Sequence, residues 1–400
     1  MNNNKKSFIS GTALGLVTAL VVCIGVNSFR TQVSGASKNN VITSNKMSFI
    51  QQIIDRYYIE DVEESVIQEG IYKGMLEALN DPYSMYFNEE EFKMFTTDSD
   101  ASFGGIGVTV MANTQDNAIL IVSVTEGSPS DKAGILPGDR IIKAEGTEVE
   151  GNNLDKAVSI MRGEIGTDVT ITIYRDSTKE TLDFTMKREL IEIPTVDYKM
   201  LDNQIGYIQL TSFDGVSYTQ FKNAYDSLTQ AGQKAMILDL RFNGGGRLDI
   251  AEDIADLLIP EGPIVYLEDK TSSEGKVVDR NSDARCIKVP LVVLVNGYSA
   301  SASEVLTGAI KDYKMGTIVG TTTFGKGIVQ TVIPISDGTG IKITTGRYYT
   351  PSGVCIHGTG ITPDYEVEMP QELKNTVGVP YEQDVQLQKA VEILNNKISQ

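Results

Sequence analysis

The hydrophobic and polar positions of this chain fall into segments with different periodicities. Residues 291–295, LVVLV, form a continuous β-branched run that predicts a buried strand. The run breaks at Asn296-Gly297, passes several small hydroxyl residues and enters an amphipathic helix near Ser301. A second apolar strand is predicted over 235–240, and it leads into the glycine run of DLRFNGGG. The first segment therefore predicts a strand, a tight turn with serine in it, and a helix.

Residues 102–188 have a different pattern, with short alternating runs separated by turn residues. GGIGVTV opens with glycines and then alternates, ILIVSV predicts a second strand, and TDVTITIYR and TLDFTMKR predict closing strands. Between them we expect a short helix in SPSDKAGILPGD and another over 154–162. This part predicts a separate β-rich module.

The two ends of the chain have helical or continuous apolar patterns. Helical periodicity over 47–58, 62–79 and 381–398 predicts amphipathic helices, whose apolar stripes either pack on the core or form a homodimer interface. Residues 8–29 are almost free of charge and long enough to cross a bilayer, and Lys5-Lys6 precede them. We therefore expect a membrane anchor, or alternatively a cleaved signal, with the rest of the chain outside the cytoplasm. A Ser/Thr/Asn-rich tether follows over 30–44.

Composition narrows the classes of function. A formal net charge of −18 over 400 residues argues against binding to nucleic acid or to anionic lipid. The sequence has no C-x-x-C or H-E-x-x-H motif and a single histidine, so we expect no metal site and no cofactor. Of the three cysteines, Cys23 lies in the apolar run, which leaves room for one bridge between Cys286 and Cys355.

The serine at the turn is a candidate nucleophile. A sharp strand-to-helix turn lifts a hydroxyl out of the sheet, and the helix N-terminus offers free N–H groups to an oxyanion. The same residues, Ser301 to Glu304, also fit a capping box, which would explain the serine and the glutamate without any catalysis. On this segment alone both interpretations stand.

Lys326, in TTFGKGIVQ, is the candidate base. Period-2 alternation would place Lys326, Ile328 and Gln330 on one face of a strand, although a solvated lysine at a strand start is the simpler alternative. The single histidine, His357, lies in a glycine-rich turn segment, so lysine is the better base for a serine nucleophile. For the lysine to act as a neutral base near neutral pH, burial would have to lower its pKa by roughly three from about 10.4. A neutral amide partner such as Gln330 permits that, whereas a carboxylate partner would oppose it.

These motifs together resemble the carboxy-terminal processing proteases, the tail-specific serine peptidases with a Ser–Lys dyad. GYSASASEVLTGA and TTFGKGIVQ match the active-site segments of that family, DLRFNGGG resembles its DLRNNPGG element, and RYYTPSG resembles its YYTPSG segment. The resemblance runs from about DPYSMYF, at Asp81, to Tyr365. Phe242 and Gly244 replace the usual asparagine and proline, and Val354-Cys355 replaces a more polar pair.

The resemblance implies roles for individual residues. Ser301 would be the nucleophile, Lys326 the base and Gln330 the residue that orients the lysine. In such a hydrolase the N–H of Ala302 and that of Gly245 or Gly246 would receive the oxyanion, and spacing does not decide between the glycines. The glycine loop could also hold another anion, although the P-loop and Rossmann consensus patterns are absent.

The module over 102–188 resembles a PDZ domain, through AGILPGDRII and the GGIGV loop. Such domains bind a C-terminal carboxylate in a backbone nest and add the peptide as an extra strand. The nest would be formed by four consecutive residues: Gly105, Ile106, Gly107 and Val108. Arg162 matches an arginine that would couple peptide binding to the active site; as an alternative it is a solvated cation at a helix end. A small structural β-domain with a glycine turn is the simpler interpretation of the whole module.

The sequence thus predicts a serine endopeptidase that recognises exposed C-terminal segments of protein substrates through a PDZ domain and cleaves them outside the cytoplasm. Its fold would be multidomain α/β and β, with an N-terminal helical segment, a PDZ-like β-domain and an α/β protease core of the ClpP/crotonase-like type. The expected segments are 1–7, a membrane segment 8–29, a linker 30–44, a helical region 45–100, the PDZ domain 101–188, the core 189–370 and a helical tail 371–400. Two alternatives remain: a catalytically silent PDZ scaffold, and a Ser–Lys hydrolase of small esters or lactams using the SxxK pattern of Ser273–Lys276.

Overall fold

The computed structural model describes residues 44–113, 115–270, 275–283 and 285–399. The helices of this part are α1 (Ser44–Tyr57), α2 (Glu64–Glu77), α3 (Glu89–Asp100), α4 (Pro129–Ala133), α5 (Leu154–Met161), α6 (Ser217–Gln230), α7 (Leu248–Leu258), α8 (Ala302–Asp312) and α9 (Val385–Ile398). The helices predicted over 47–58 and 62–79 are therefore present as α1 and α2.

The strands are numbered in the same way. Up to the end of the β-rich module they are β1 (Met85–Phe87), β2 (Ser102–Gly105), β3 (Val108–Ala112), β4 (Ile119–Val124), β5 (Arg140–Ala144), β6 (Thr147–Glu148), β7 (Asp168–Arg175), β8 (Glu180–Lys187) and β9 (Glu189–Glu192). The later strands are β10 (Val196–Leu201), β11 (Ile205–Leu210), β12 (Ala235–Asp239), β13 (Gly262–Asp269), β14 (Val277–Ser282), β15 (Leu291–Val295), β16 (Gly316–Gly320), β17 (Ile328–Pro334), β18 (Gly340–Tyr349) and β19 (Tyr365–Glu366).

A central sheet carries the predicted strand–turn–helix unit. Its order is β10-β11-β12-β15-β16-β19, with β10 antiparallel to β11 and the other neighbours parallel. Helices cover both faces, which explains why β12 and β15 are buried throughout. Leu291, Val293 and Val295 belong to the core shared with α6, α7 and α8, whereas Val292 and Leu294 belong to the core shared with α9. The C-terminal helix therefore packs on the core.

A second, antiparallel sheet stands beside the turn. Its order is β1-β18-β13-β14, and β17 also pairs with β18. The strand β17 begins at Ile328, so Lys326 precedes it in a loop between glycines. This sheet brings three distant segments together: the DPYSMYF turn, the GKG loop and the RYYTPSG segment.

The β-rich module has its own sheet and its own core. The sheet order is β3-β4-β5-β7-β8, with β6 paired to β5, and the enclosed cluster includes Ile119, Ile121 and Ile171. Antiparallel pairing of β2 with β9 joins the entry and the exit of the module. The strand β3 lies at the edge of the sheet, where a further strand could be added.

The predicted membrane segment receives no support. In the described part of the chain, no helix is both long and apolar enough to cross a membrane. This contradicts the predicted localisation, a single-pass protein of the cell membrane with its catalytic part outside. The apolar run of residues 8–29, on which that prediction depended, lies outside the described residues.

Candidate active site

Ser301 lies at the turn between β15 and α8, in a strained backbone conformation. Its φ of 57° and ψ of −116° are unusual for a residue other than glycine, and such strain concentrates at functional sites. The geometry is that of a nucleophile held on a sharp turn from strand to helix. Ser301 is half-buried and lines a cleft, so its hydroxyl is accessible from outside.

The two neighbouring serines have structural partners. The hydroxyl of Ser299 donates to the carbonyl of Leu240 at 2.7 Å, and that of Ser303 donates to the carbonyl of Asn243 at 2.9 Å. Both side chains are fully buried. They fasten the turn to the DLRFNGGG loop, which leaves Ser301 as the serine of this cluster that faces the cleft.

Glu304 connects the serine turn to the lysine loop. Its carboxylate is completely buried and accepts hydrogen bonds from the backbone N–H groups of Ser301, Gly325 and Lys326 and from the Thr323 hydroxyl. The four distances lie between 2.6 and 2.9 Å. The capping interaction predicted for Glu304 therefore exists, and the same carboxylate also fixes the candidate base. Capping and catalysis are thus compatible roles for this segment.

The ammonium group of Lys326 is half-buried in the cleft. Burial lowers its pKa, the charge of Lys342 lowers it further, and Asp81 acts in the opposite direction. The Lys326 Nζ lies 4.1 Å from the ring centroid of Tyr83, which belongs to the DPYSMYF turn. That turn is fixed by Ser84, whose hydroxyl donates to Asp81 at 2.6 Å and accepts from the Thr344 N–H at 3.0 Å.

Tyr348 contacts both members of the candidate dyad, and the sequence analysis gave it no role. Its hydroxyl donates to the carbonyl of Lys326, and the nearby Ser301 side chain lowers the Tyr348 pKa. Burial and the nearby carboxylate of Glu304 raise the pKa of the Tyr348 phenol, so the group stays protonated. Its position in the RYYTPSG motif was the only signal in the sequence.

Gln330 lies at the start of β17, beside a bulge in its pairing with β18. Its amide donates to the carbonyl of Ile328 at 3.5 Å and to the Thr344 hydroxyl at 3.4 Å, both long hydrogen bonds. Lys326, Ile328 and Gln330 all line the cleft, but Lys326 precedes the strand on which it was predicted to lie, and Val329 lines the cleft as well. The amide therefore lies on the wall of the cleft that contains the lysine.

The glycine loop packs directly against the serine turn. At Gly245, where φ is 104°, an added Cβ would lie 2.7 Å from the Ala300 carbonyl oxygen and 2.8 Å from Ser301 Cβ. The N–H of Gly245 donates to Asn243 Oδ1 at 2.9 Å. Gly246 and Ala302 both line the cleft beside Ser301.

These residues surround a cleft of about 550 Å³ within the second compact part of the chain, residues 72–400. Its walls are apolar near β17 and polar near α3 and α7, where Arg247 pairs with Asp100 and Asp249. The lining residues are Phe95, Thr96, Ser99, Asp100, Asp214, Gly244, Gly246, Arg247, Leu248, Asp249, Ser301, Ala302, Lys326, Ile328, Val329, Gln330, Val332, Lys342 and Tyr348.

The predicted peptide-binding loop joins β2 to β3 in the β-rich module. The carbonyls of Ile106 and Gly107 accept hydrogen bonds from the N–H groups of Ser130 and Thr125, at 3.0 and 2.9 Å. Gly107 has a φ of 77°, and a Cβ there would lie 2.3 Å from Ser128 Cβ. These contacts fix the loop next to the free edge of β3.

Arg162 follows α5 directly and reaches the strand that leads into the module. Its guanidinium lies 4.1 Å from the ring centroid of Phe103 on β2. The next residue, Gly163, donates its N–H to the Gly104 carbonyl at 2.9 Å. Arg162 therefore connects the helix α5 of the β-rich module to the β2–β9 junction.

Other candidates from the sequence lie away from this site. His357 is exposed and does not line the cleft, although its backbone packs against Gly327. Cys286 and Cys355 are free thiols. Ser273 of the SxxK pattern lies outside the described residues. Within the described ranges, no group of three or more His, Cys, Asp or Glu side chains could hold a metal ion.

Comparison with known proteins gives consistent matches along the chain. The profile of Peptidase family S41 matches residues 204–367, that of the PDZ domain residues 104–186, and that of the activating protease CtpB N-terminal domain residues 25–91. The carboxy-terminal processing protease CtpA of Bacillus subtilis (strain 168) is 38% identical over 360 residues, which cover 90% of this chain and 76% of the relative.

Two further proteins are similar to this chain. A probable CtpA-like serine protease of Staphylococcus aureus (strain N315) is 35% identical over 366 residues, covering 91% of this chain and 72% of the relative. The solved structure of the photosystem II D1 C-terminal processing protease is 28% identical with a TM-score of 0.46, and the match covers 81% of this chain and 87% of that one. The matches to the sequence profiles and relatives confirm the predicted resemblance and the predicted fold class.

Proposed function

Because the chain belongs to peptidase family S41, as a carboxy-terminal processing serine peptidase with a PDZ domain, we propose that Ser301 is its nucleophile and Lys326 its base. The observation that carries the proposal is the shared cleft. Ser301 and Lys326 both line it, Glu304 binds the backbone N–H of each, and burial lowers the pKa of the Lys326 amine. A buried, neutral lysine is a suitable general base for a serine hydroxyl.

In the proposed reaction, Ser301 Oγ attacks the scissile carbonyl carbon while its proton passes to Lys326 Nζ. The tetrahedral intermediate then collapses, Lys326 returns the proton to the leaving amine, and water hydrolyses the acyl-enzyme. Tyr348 lies near Ser301, and Lys326 Nζ lies 4.1 Å from the ring centroid of Tyr83. Proton transfer would require the Lys326 side chain to turn from Tyr83 toward the Ser301 hydroxyl. Gln330, on the same wall of the cleft, would orient the amine after that movement.

The oxyanion would be held by the N–H of Ala302, at the start of α8, and by a glycine N–H of the DLRFNGGG loop. We assign the second donor to Gly246, because the N–H of Gly245 is already bonded to Asn243. Gly245 keeps a separate role: it lets the loop approach Ser301 closely.

Substrate selection would occur in the PDZ domain. The loop of Gly105, Ile106, Gly107 and Val108 would bind the terminal carboxylate, and the substrate tail would add to the free edge of β3. Arg162, stacked on Phe103 at the β2–β9 junction, would link an occupied domain to the protease core. Protein substrates with exposed C-termini are therefore the expected partners, and a homodimer through the terminal helices stays a prediction.

The decisive experiment is the digestion of an unfolded protein by the wild type and by variants at each position. We expect Ser301→Ala and Lys326→Arg to abolish proteolysis, the latter because a guanidinium does not lose its proton in proteins. Ser303→Ala is the matched control, and it should stay active because Ser303 binds only the loop carbonyl. An active Ser301→Ala variant with an inactive Ser303→Ala variant would overturn the assignment, and so would turnover by Lys326→Arg.

A further inference from the structure

A second lysine, Lys342, shares the cleft with Lys326. It lies on β18 opposite Val332 of β17. Two residues further along β18, on the same face of the sheet, Thr344 lies opposite Gln330. Cross-strand partners share a face of the sheet, so these four side chains point the same way. Three of them line the cleft, and the fourth, Thr344, accepts a hydrogen bond from Gln330. The ammonium of Lys342 lies 5.2 Å from the ring centroid of Phe95 on α3.

The charge of Lys342 has no counter-ion in the described part of the chain. Its ammonium is half-buried and lies over the face of the Phe95 ring, and burial alone lowers its pKa. Two ammonium groups thus lie in one half-buried cleft. Like charges in such a place disfavour each other's protonation, and a neighbouring cation is one of the known ways to produce a neutral lysine.

We propose that Lys342 is a positioning residue for the reaction, which keeps the base Lys326 neutral by placing a second positive charge in the same cleft. Burial and the charge of Lys342 both lower the pKa of Lys326, whereas burial lowers that of Lys342. The charge of Lys342 therefore favours the form of Lys326 that can accept the serine proton.

The other charged and titratable groups around Lys326 do not provide this effect. Asp81, in the turn before β1, acts in the opposite direction, and its carboxylate is occupied by Ser84 and the N–H of Tyr83. Arg247 is paired with Asp100 and Asp249. The remaining groups are Glu304 from α8, which binds the lysine backbone, Tyr83 from the turn, Tyr348 from β18 and Asp214, which lines the cleft.

The inference rests on the proposed Ser–Lys mechanism, so its test needs one measurement that does not depend on turnover. In the Ser301→Ala background, trace acetylation by acetic anhydride at a series of pH values, read by mass spectrometry, titrates the Lys326 amine directly. In the active enzyme, the pH dependence of Ser301 phosphonylation by a fluorophosphonate, which expels fluoride, reports the same group. Four variants are compared in both measurements: Lys342→Met, Lys342→Gln, Lys342→Arg and Arg347→Met.

We expect Lys342→Met and Lys342→Gln to move both midpoints to higher pH, with the phosphonylation rate recovering on the alkaline side. Lys342→Arg should keep the wild-type midpoints because it keeps the charge. Arg347→Met is the matched control, since Arg347 is an exposed cation of the same strand that does not line the cleft.

Three results would overturn the inference. One is an unchanged labelling midpoint in Lys342→Met and Lys342→Gln. Another is a Lys342→Arg variant that behaves like Lys342→Met, because charge would then not be the cause. The third is a uniform loss of rate at every pH, which indicates a structural role. Turnover by Lys326→Arg would instead reject the Ser–Lys mechanism itself, whatever the labelling midpoint does.

Discussion

The carboxylate of Glu304 accepts the backbone N–H of Lys326 at 2.8 Å, through the same oxygen that accepts the N–H of Ser301 at 2.9 Å. One buried side chain therefore fixes the distance between the turn of the proposed nucleophile and the loop of the proposed base. Because the fixed atoms belong to the backbone, the side chains of Ser301 and Lys326 remain able to change rotamer. This combination would suit the proposed dyad, in which the lysine turns toward the serine before proton transfer.

Replacement of Glu304 by glutamine should reduce both stability and activity. The amide keeps one acceptor oxygen but brings an NH₂ group toward backbone donors, so at least one buried hydrogen bond is lost. We expect a destabilisation of about 3 kcal/mol, since hydrogen bonds to charged groups are the stronger ones. Urea denaturation of Glu304→Gln, with the exposed Glu392→Gln as control, measures it. A Glu304→Gln variant as stable and active as the wild type would contradict this role.

Gly245→Ala should displace the serine turn. An alanine at a φ of 104° is strained, and its Cβ would lie 2.8 Å from Ser301 Cβ. We expect a loss of about 2 kcal/mol in stability and a larger fall in kcat than in substrate affinity. Gly244→Ala is the matched control for stability, because its Cβ would meet nothing within 4 Å. Equal melting temperatures for the two variants would show that the close approach at Gly245 is unimportant.

How far the sequence predicts this molecule depends on whether a feature is local. The strand, turn and helix around Ser301 follow from a continuous apolar run and small hydroxyl residues, and they are present as β15 and α8. The contact of Tyr83 with Lys326 depends on the pairing of β1 with β18, which no local pattern reveals. Similarly, the amphipathic pattern predicts the helix over 381–398. It does not predict that Arg241 binds the beginning of that helix.

The position of Lys342 shows a second limit of prediction from the sequence. Strand alternation identifies the residues that share its face, but it does not say which face borders the cleft. The predicted membrane localisation rested on an apolar run outside the described residues. The helices within those residues do not support it. The family resemblance carried by the four motifs was confirmed, because their residue types are tied to chemistry as well as to structure.

The pKa of Lys326 has a consequence for stability that can be measured separately from activity. A lysine whose pKa is lowered by folding destabilises the folded state at neutral pH, and the penalty disappears as the pH rises toward the unfolded value near 10.5. We therefore expect Lys326→Met to be more stable than the wild type at pH 7 and inactive. The difference in unfolding free energy should shrink as the pH approaches 10.5. A variant less stable at pH 7 would indicate that the ammonium is favourably bound.

The C-terminal helix is attached through Asp384. Its carboxylate caps α9 by accepting the N–H of Leu387, and it binds the buried guanidinium of Arg241 at 2.8 and 2.9 Å. Asp384→Ala removes the cap and one of the two carboxylates around Arg241, so we expect a loss of about 3 kcal/mol. Asp384→Asn keeps an acceptor for the cap. In a urea titration its unfolding free energy should lie between those of the wild type and Asp384→Ala. Wild-type stability for both variants would mean that α9 is held by its apolar contacts alone.

The proposed recognition of free C-termini makes the final prediction. A backbone nest binds a terminal carboxylate, so amidating a cleavable peptide, or ending it in Asp-Asp, should reduce its cleavage several-fold relative to an apolar free acid. Gly107→Ala should reduce that discrimination, because its Cβ would lie 2.3 Å from Ser128 and displace the loop. Gly127→Ala is the matched control: its φ of 72° gives similar strain, but a Cβ there meets nothing within 4 Å. The measurement is competition between peptides that differ only at the C-terminus. Equal cleavage of all three tails by the wild-type enzyme would mean that the PDZ domain is structural in this protein. If Gly127→Ala lost discrimination as Gly107→Ala does, the effect would be assigned to backbone strain instead of to the carboxylate loop.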